Sequence, residues 1–132
     1  MIEKQDMMQP LLHACPSFQA DWGAFLDEWS EDEEKPVYLA LGQLARHLIS
    51  MLVADDAQGL ERALSVVERW RLEGDAFVRE AATVGLLEDL QNANLHDSTS
   101  PTDFERFLLP ESLRWWRKVE RFWATGEPIS ED

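Results

Sequence analysis

Apolar residues recur in this chain at three- and four-residue intervals, and no stretch alternates apolar and polar residues for long enough to form a strand. That spacing puts the apolar side chains on one face of a helix. The six prolines, Pro10, Pro16, Pro36, Pro101, Pro110 and Pro128, fall at helix starts or breaks and interrupt no good periodic run. The pattern predicts an all-α fold of five to seven helices. With 132 residues, one domain spanning 1–132 is expected. Short connections favour antiparallel neighbours, so stacked αα-hairpins are one arrangement that fits. No sequence repeat relates the stretch 36–70 to the stretch 75–108.

The first helical stretch is expected over about Glu3 to Ala14, and the second from Pro16 to Trp29, carrying Phe18, Trp22, Phe25 and Trp29. Pro36 opens the third, whose Leu41, Leu44, Ala45, Leu48 and Leu52 share a face. Asp55 or Asp56 caps the fourth, with Leu60, Ala63, Leu64, Val67 and Trp70 inside and Glu61, Arg62, Glu68 and Arg69 outside. Gly74 reads as a left-handed helix stop and Asp75 as the next cap. The fifth helix covers about Ala76 to Asn92 and carries apolar residues on more than one side. Ser100 and Pro101 start a short helix with Phe104, Phe107 and Leu108. In the last, Glu111 to Ala124, Trp115, Trp116, Val119, Phe122 and Trp123 face one way, and Arg114, Arg117, Lys118 and Arg121 the other. Leu41, Leu44, Leu48, Leu64, Val67, Trp70, Leu87, Trp116 and Trp123 are the expected core.

The formal net charge of −14 excludes sequence-independent nucleic-acid binding and docking on anionic lipid, both of which need cations. It permits either plain solubility or steering towards a basic partner. Nine acids against two bases fall in residues 1–35, and five acids against Arg79 alone in residues 75–99. An acidic surface is therefore expected from those two segments. Val37 to Ala54, the longest apolar run, is broken by Gln43, Arg46, His47 and Ser50 and does not suit a bilayer. The first residues lack a basic stretch leading into an apolar one, so no secretory signal is read. Cys15 is the only cysteine, and a reducing cytoplasm suits these features.

No catalytic signature stands out. The three histidines sit in three different elements, and nothing near His13 and Cys15 completes a tetrahedral metal set, so neither metal nor cofactor is expected. There is no nucleophile elbow and no glycine-rich phosphate loop. Adjacent carboxylates occur at Glu88 and Asp89. Gly85, Glu88, Asp89 and Asn92 project to one side of the fifth helix, downstream of the small Ala81 and Ala82. A shallow concave site there competes with a solvated helix end. Trp115 and Trp116 point about 100° apart, so one can fill the core while Trp115 borders the surface as a contact anchor. Packing of both in the core is the competing arrangement.

From Gly42 onwards the chain resembles a family of small, uncharacterised bacterial α-helical proteins. The resembling stretches are Leu44 to Leu48, Val67 to Trp70 closing on Glu73 to Asp75, Gly85 to Asn92, and Leu108 to Ser112 leading to Trp115 and Trp116. They cover about two-thirds of the chain and leave out residues 1–35. The family is a domain of unknown function without an active site to carry over. The resemblance implies an association with immunity proteins of bacterial toxin systems. The expectation is a non-enzymatic binding module that blocks a basic toxin or effector domain through an acidic surface. Its candidate contacts are Glu31, Asp32, Glu33, Glu34, Glu88, Asp89, Asn92 and Trp115. The alternative is a small ligand-binding domain or enzyme using the Glu88, Asp89 and Asn92 face.

Overall fold

The computed structural model describes residues 1–130. Seven α-helical segments are found among them: α1 (Met8–Ala14), α2 (Gln19–Glu28), α3 (Val37–Val53), α4 (Ala57–Glu73), α5 (Ala76–Glu80), α6 (Glu88–Leu90) and α7 (Pro110–Thr125). A π-helical stretch, Ala81–Leu87, joins α5 to α6, so the rod from Ala76 to Leu90 is continuous. Short 3-10 turns cover Lys4–Asp6, Pro16–Phe18, Ala93–Leu95 and Pro101–Phe107. No strand is formed among the described residues, and the all-α expectation holds. Among the described residues, no helix is long and apolar enough to cross a membrane.

Local chemistry sets most of the boundaries. The Asp56 side chain accepts from the Gly59 N–H at 3.0 Å, so Asp56 rather than Asp55 caps α4. Asp55 takes the left-handed conformation after α3 (φ 57°), and the N–H groups of Asp55 and Asp56 return to the carbonyls of Leu52 and Met51. Asp75 caps α5 through the Val78 N–H at 2.9 Å, and the Ser100 N–H donates to Asp103 across the next start. Gly126, at φ 76°, ends α7. Gly74 departs from expectation: its backbone is extended (φ −75°, ψ 155°), not left-handed. Glycine is needed there because a Cβ would lie 2.4 Å from the Trp70 carbonyl oxygen. The chain start adds a tie, since the Ile2 N–H donates to Glu73 O and the Asp75 N–H to Ile2 O, each at 2.8 Å.

The core is built around α4, which packs on α1, α3 and α7, while α3 packs on the π-helical stretch. Leu41, Leu44, Leu48, Leu64, Val67, Trp70, Leu87 and Trp116 are all buried in it, as expected. Trp123 is not. It is 54% exposed because it lies on the last full turn of α7, past the point where α4 covers that helix. The Trp70 indole N–H donates to Met7 O at 2.9 Å and locks the chain start to α4. Glu68 also departs from the expected pattern. It lies buried, and its carboxylate accepts from the N–H of Glu111 (3.0 Å), the N–H of Ser112 (2.7 Å) and the Ser112 hydroxyl (2.8 Å). Those N–H groups belong to the first turn of α7, which has no cap of its own.

Leu48→Ala and Leu64→Ala should each lower unfolding free energy by about 2–5 kcal/mol, from lost transfer energy plus a cavity. Urea melts check this, and a cost below about 1 kcal/mol at both sites would contradict the packing described. Glu68→Ala strips a charged acceptor from buried donors and should cost about 3 kcal/mol. A Glu68→Ala melt unchanged from wild type would mean that α7 does not depend on this cap.

Candidate functional site

The acidic run Glu31 to Glu34 forms the exposed connection between α2 and α3. The Lys35 ammonium folds back to donate to the carbonyls of Trp29 and Asp32, which fixes the loop and leaves the four carboxylates outward. Glu34 pairs only loosely with Lys4, at 3.7 Å. The Lys4 ammonium also stands 5.1 Å from the centre of the Phe77 ring, and Phe77 packs against Tyr38 at 6.2 Å. This chain of contacts leads from the acidic loop to the junction of α3 with the rod Ala76 to Leu90.

Three α3 residues, Tyr38, Gly42 and Arg46, follow one another at helical spacing along that junction. A Cβ at Gly85 would lie 2.6 Å from Tyr38 Cδ1 and 2.8 Å from Leu41 Cδ1. Tyr38 therefore fills the groove that the small residues Ala81, Ala82 and Gly85 leave, and the expected concavity is occupied. The irregular register of the π-helical stretch buries Ala81, Ala82, Thr83, Gly85, Leu86 and Leu87 together, leaving Val84 exposed. Burial and the nearby Glu80 carboxylate raise the Tyr38 hydroxyl above its ordinary pKa.

Glu88 and Asp89 follow directly, half-buried and adjacent. Burial raises the Glu88 carboxyl above its ordinary value, and the Asp89 charge adds to the effect. Burial also raises Asp89, with Arg46 opposing. Gly42 faces Asp89, and a Cβ there would make ordinary contact with Asp89 Oδ2 at 3.5 Å. Asn92 is partly committed elsewhere: its side chain accepts from the Asn94 N–H at 3.0 Å and caps the turn Ala93–Leu95. Clefts of about 330 Å³ at Trp115, 370 Å³ at Trp22 and 480 Å³ at Trp123 are all lined by residues other than Glu88, Asp89 and Asn92.

Trp115 does not serve as an exposed anchor. It is 2% exposed, its indole N–H donates to Glu111 at 2.9 Å, and Arg71 covers its ring at 3.7 Å. Lys118 flanks the same ring at 4.1 Å. Elsewhere on the basic stripe, Arg114 pairs with Glu111, and Arg117 with Glu105 and Glu120. Apolar and aromatic groups that face out near the acids in sequence include Tyr38 (41%) and Leu39 (55%) at the start of α3, and Val84 before Glu88. No linear motif singles out Tyr38 and Leu39, because they sit inside the apolar run at the start of α3.

One further constellation is absent from any linear motif. The Ser17 hydroxyl lies 2.8 Å from His47 Nε2, and Asp21 Oδ2 lies 3.7 Å from His47 Nδ1. Thirty residues separate Ser17 from His47. No group of three metal-ligating side chains comes together among the described residues.

The fold is an all-α domain, with acidic residues in the loop before α3 and in α6 and with Tyr38 and Leu39 exposed at the start of α3. Over residues 8–124 the sequence matches the family described as Domain of unknown function (DUF7674), and the chain belongs to that family. The match takes in most of residues 1–35, so the family extends beyond the stretches from Gly42 onwards that carry the resemblance. No curated protein and no solved structure matches the chain.

Because the native Glu88 and Asp89 carboxyls hold protons more tightly than their unfolded counterparts, stability falls as pH rises through the window above their ordinary values. Glu88→Gln should therefore raise the urea midpoint at pH 7, with mutant and wild type converging below about pH 4. A lower midpoint at pH 7 would mean that the Glu88 charge stabilises the fold.

Proposed function

We propose that the protein is a binding module that captures a basic protein partner through the face carrying Glu31 to Glu34, Tyr38, Leu39, Glu88 and Asp89. The observation that carries this reading is the exposure of Tyr38 and Leu39 between two acidic segments. An apolar centre with a charged rim is the ordinary composition of a protein–protein contact. Glu88 and Asp89 strengthen the reading, since they stay half-buried side by side although burial disfavours their charge. Carboxylates kept at such a cost are common where function rather than stability has chosen them. The net charge of −14 supplies long-range steering towards a cationic partner. The most specific form of this reading is an immunity protein in the cytoplasm that blocks the basic active-site cleft of a bacterial toxin.

The partner to test is the product of the adjacent gene, by pull-down and by rescue of growth on co-expression. Rim charges govern association rate, and buried ones govern dissociation. Replacing Glu31, Asp32, Glu33 and Glu34 together by Lys should slow association about tenfold and flatten its salt dependence. Tyr38→Ala with Leu39→Ser should weaken binding by about 2 kcal/mol or more, chiefly through faster dissociation. Replacing Glu88 and Asp89 by Lys should abolish capture. If the folded protein shows neither association nor rescue, while a small molecule raises its melting temperature, the ligand-binding alternative replaces this one.

A further inference from the structure

We propose that Ser17, His47 and Asp21 form a nucleophile, base and orienting carboxylate that hydrolyse small carboxylic esters. Ser17 lies in the exposed 3-10 turn Pro16–Phe18 that leads into α2, and its hydroxyl is 2.8 Å from His47 Nε2 on α3. That hydroxyl can donate to Nε2 only when the imidazole proton sits on Nδ1. The Asp21 carboxylate, 3.7 Å from Nδ1 and one turn beyond Ser17, favours that tautomer. The distance exceeds a hydrogen bond, and a rotation of the exposed Asp21 side chain closes it, as such contacts do when substrate binds. The imidazole is held from below by the fully buried Phe18 ring, at 5.5 Å and 49°, so the base is positioned before any substrate arrives.

Beside this set opens a cleft of about 340 Å³ lined by Asp21, Gln43, Arg46, His47 and Ser50. Its wall mixes polar and apolar surface, and its volume limits the ester to a small one. Gln43, one turn before His47, and Arg46 supply N–H donors for a carbonyl oxygen that becomes negative. In the first half-reaction Ser17 Oγ bonds to the ester carbon while its proton moves to His47 Nε2. Collapse breaks the bond to the alcohol, which leaves with that proton. Water then attacks the acyl-serine, gives a proton to Nε2, and releases the carboxylic acid as Ser17 regains its hydrogen. Atoms and charge balance with water as the only co-reactant. The activity is independent of capture of a basic partner.

The full chain is treated with an alkyl fluorophosphonate, which replaces fluoride with Ser17 Oγ, and is mapped by peptide mass spectrometry. Hydrolysis of p-nitrophenyl acetate is followed in parallel. The expected result is a single phosphonylated site at Ser17, absent in Ser17→Ala. Ester turnover should fall about 100-fold in Ser17→Ala and His47→Ala, and about tenfold in Asp21→Asn. Circular dichroism melts keep folding separate, and Ser17→Ala removes only one exposed hydroxyl. No adduct, an adduct elsewhere, or Ser17→Ala turnover within about twofold of wild type overturns the proposal. Unchanged turnover in Asp21→Asn overturns the part given to Asp21.

Discussion

The Glu68 carboxylate decides where the last helix begins, and much of the molecule rests on that. α7 starts after Leu109 with a proline at its first position and no polar side chain of its own to receive the open N–H groups. Glu68 reaches them from the middle of α4, at 2.7 and 3.0 Å, and brings a negative charge to the positive end of the helix dipole. The cap fixes both the start of α7 and its rotation against α4. With that rotation set, Trp115, Trp116 and Val119 turn inward, and Arg71 of α4 lies over the Trp115 ring. The basic stripe then faces outward, where its arginines pair with Glu105, Glu111 and Glu120. The acids of the loop before α3 and of the rod after α4 lie apart from this stripe.

Sequence signals acting within one helical turn were legible. The caps at Asp75 and Ser100 and the stop at Gly126 each depend on residues at most four positions away, and each is where local chemistry puts it. Core positions on α3 and α4 followed from periodicity in the same way. What escaped were contacts set by distant partners. Glu68 reads as an outward charge until the start of α7, 43 residues later in sequence, is brought to it. Gly74 was read from the propensity of glycine for left-handed backbone, whereas its need for glycine is steric and comes from Trp70 and Val78. Trp123 fits the apolar stripe of α7 but outruns the helix that covers it.

The candidate site shows the same division. Adjacent carboxylates at Glu88 and Asp89 were visible in the sequence, and so was the acidic run before α3. That Tyr38 closes the groove over Gly85 was not, because it depends on how the π-helical stretch meets α3. The wider turn carries six buried residues, and Tyr38 lies over Gly85 while staying partly exposed. A groove that would have suited a small ligand becomes a filled, mixed apolar and acidic surface. Trp115 gives up the role of anchor for the opposite reason, since Arg71 and Lys118 cover its ring.

The central claim is that this α3 and α6 face meets a basic protein. Hydrogen–deuterium exchange of the full chain, with and without the product of the adjacent gene, tests it most directly. Slowed exchange over residues 30–42 and 85–92 is expected in the complex, with α7 unchanged. Protection confined to α7, or none at all with a partner shown to bind, would contradict it.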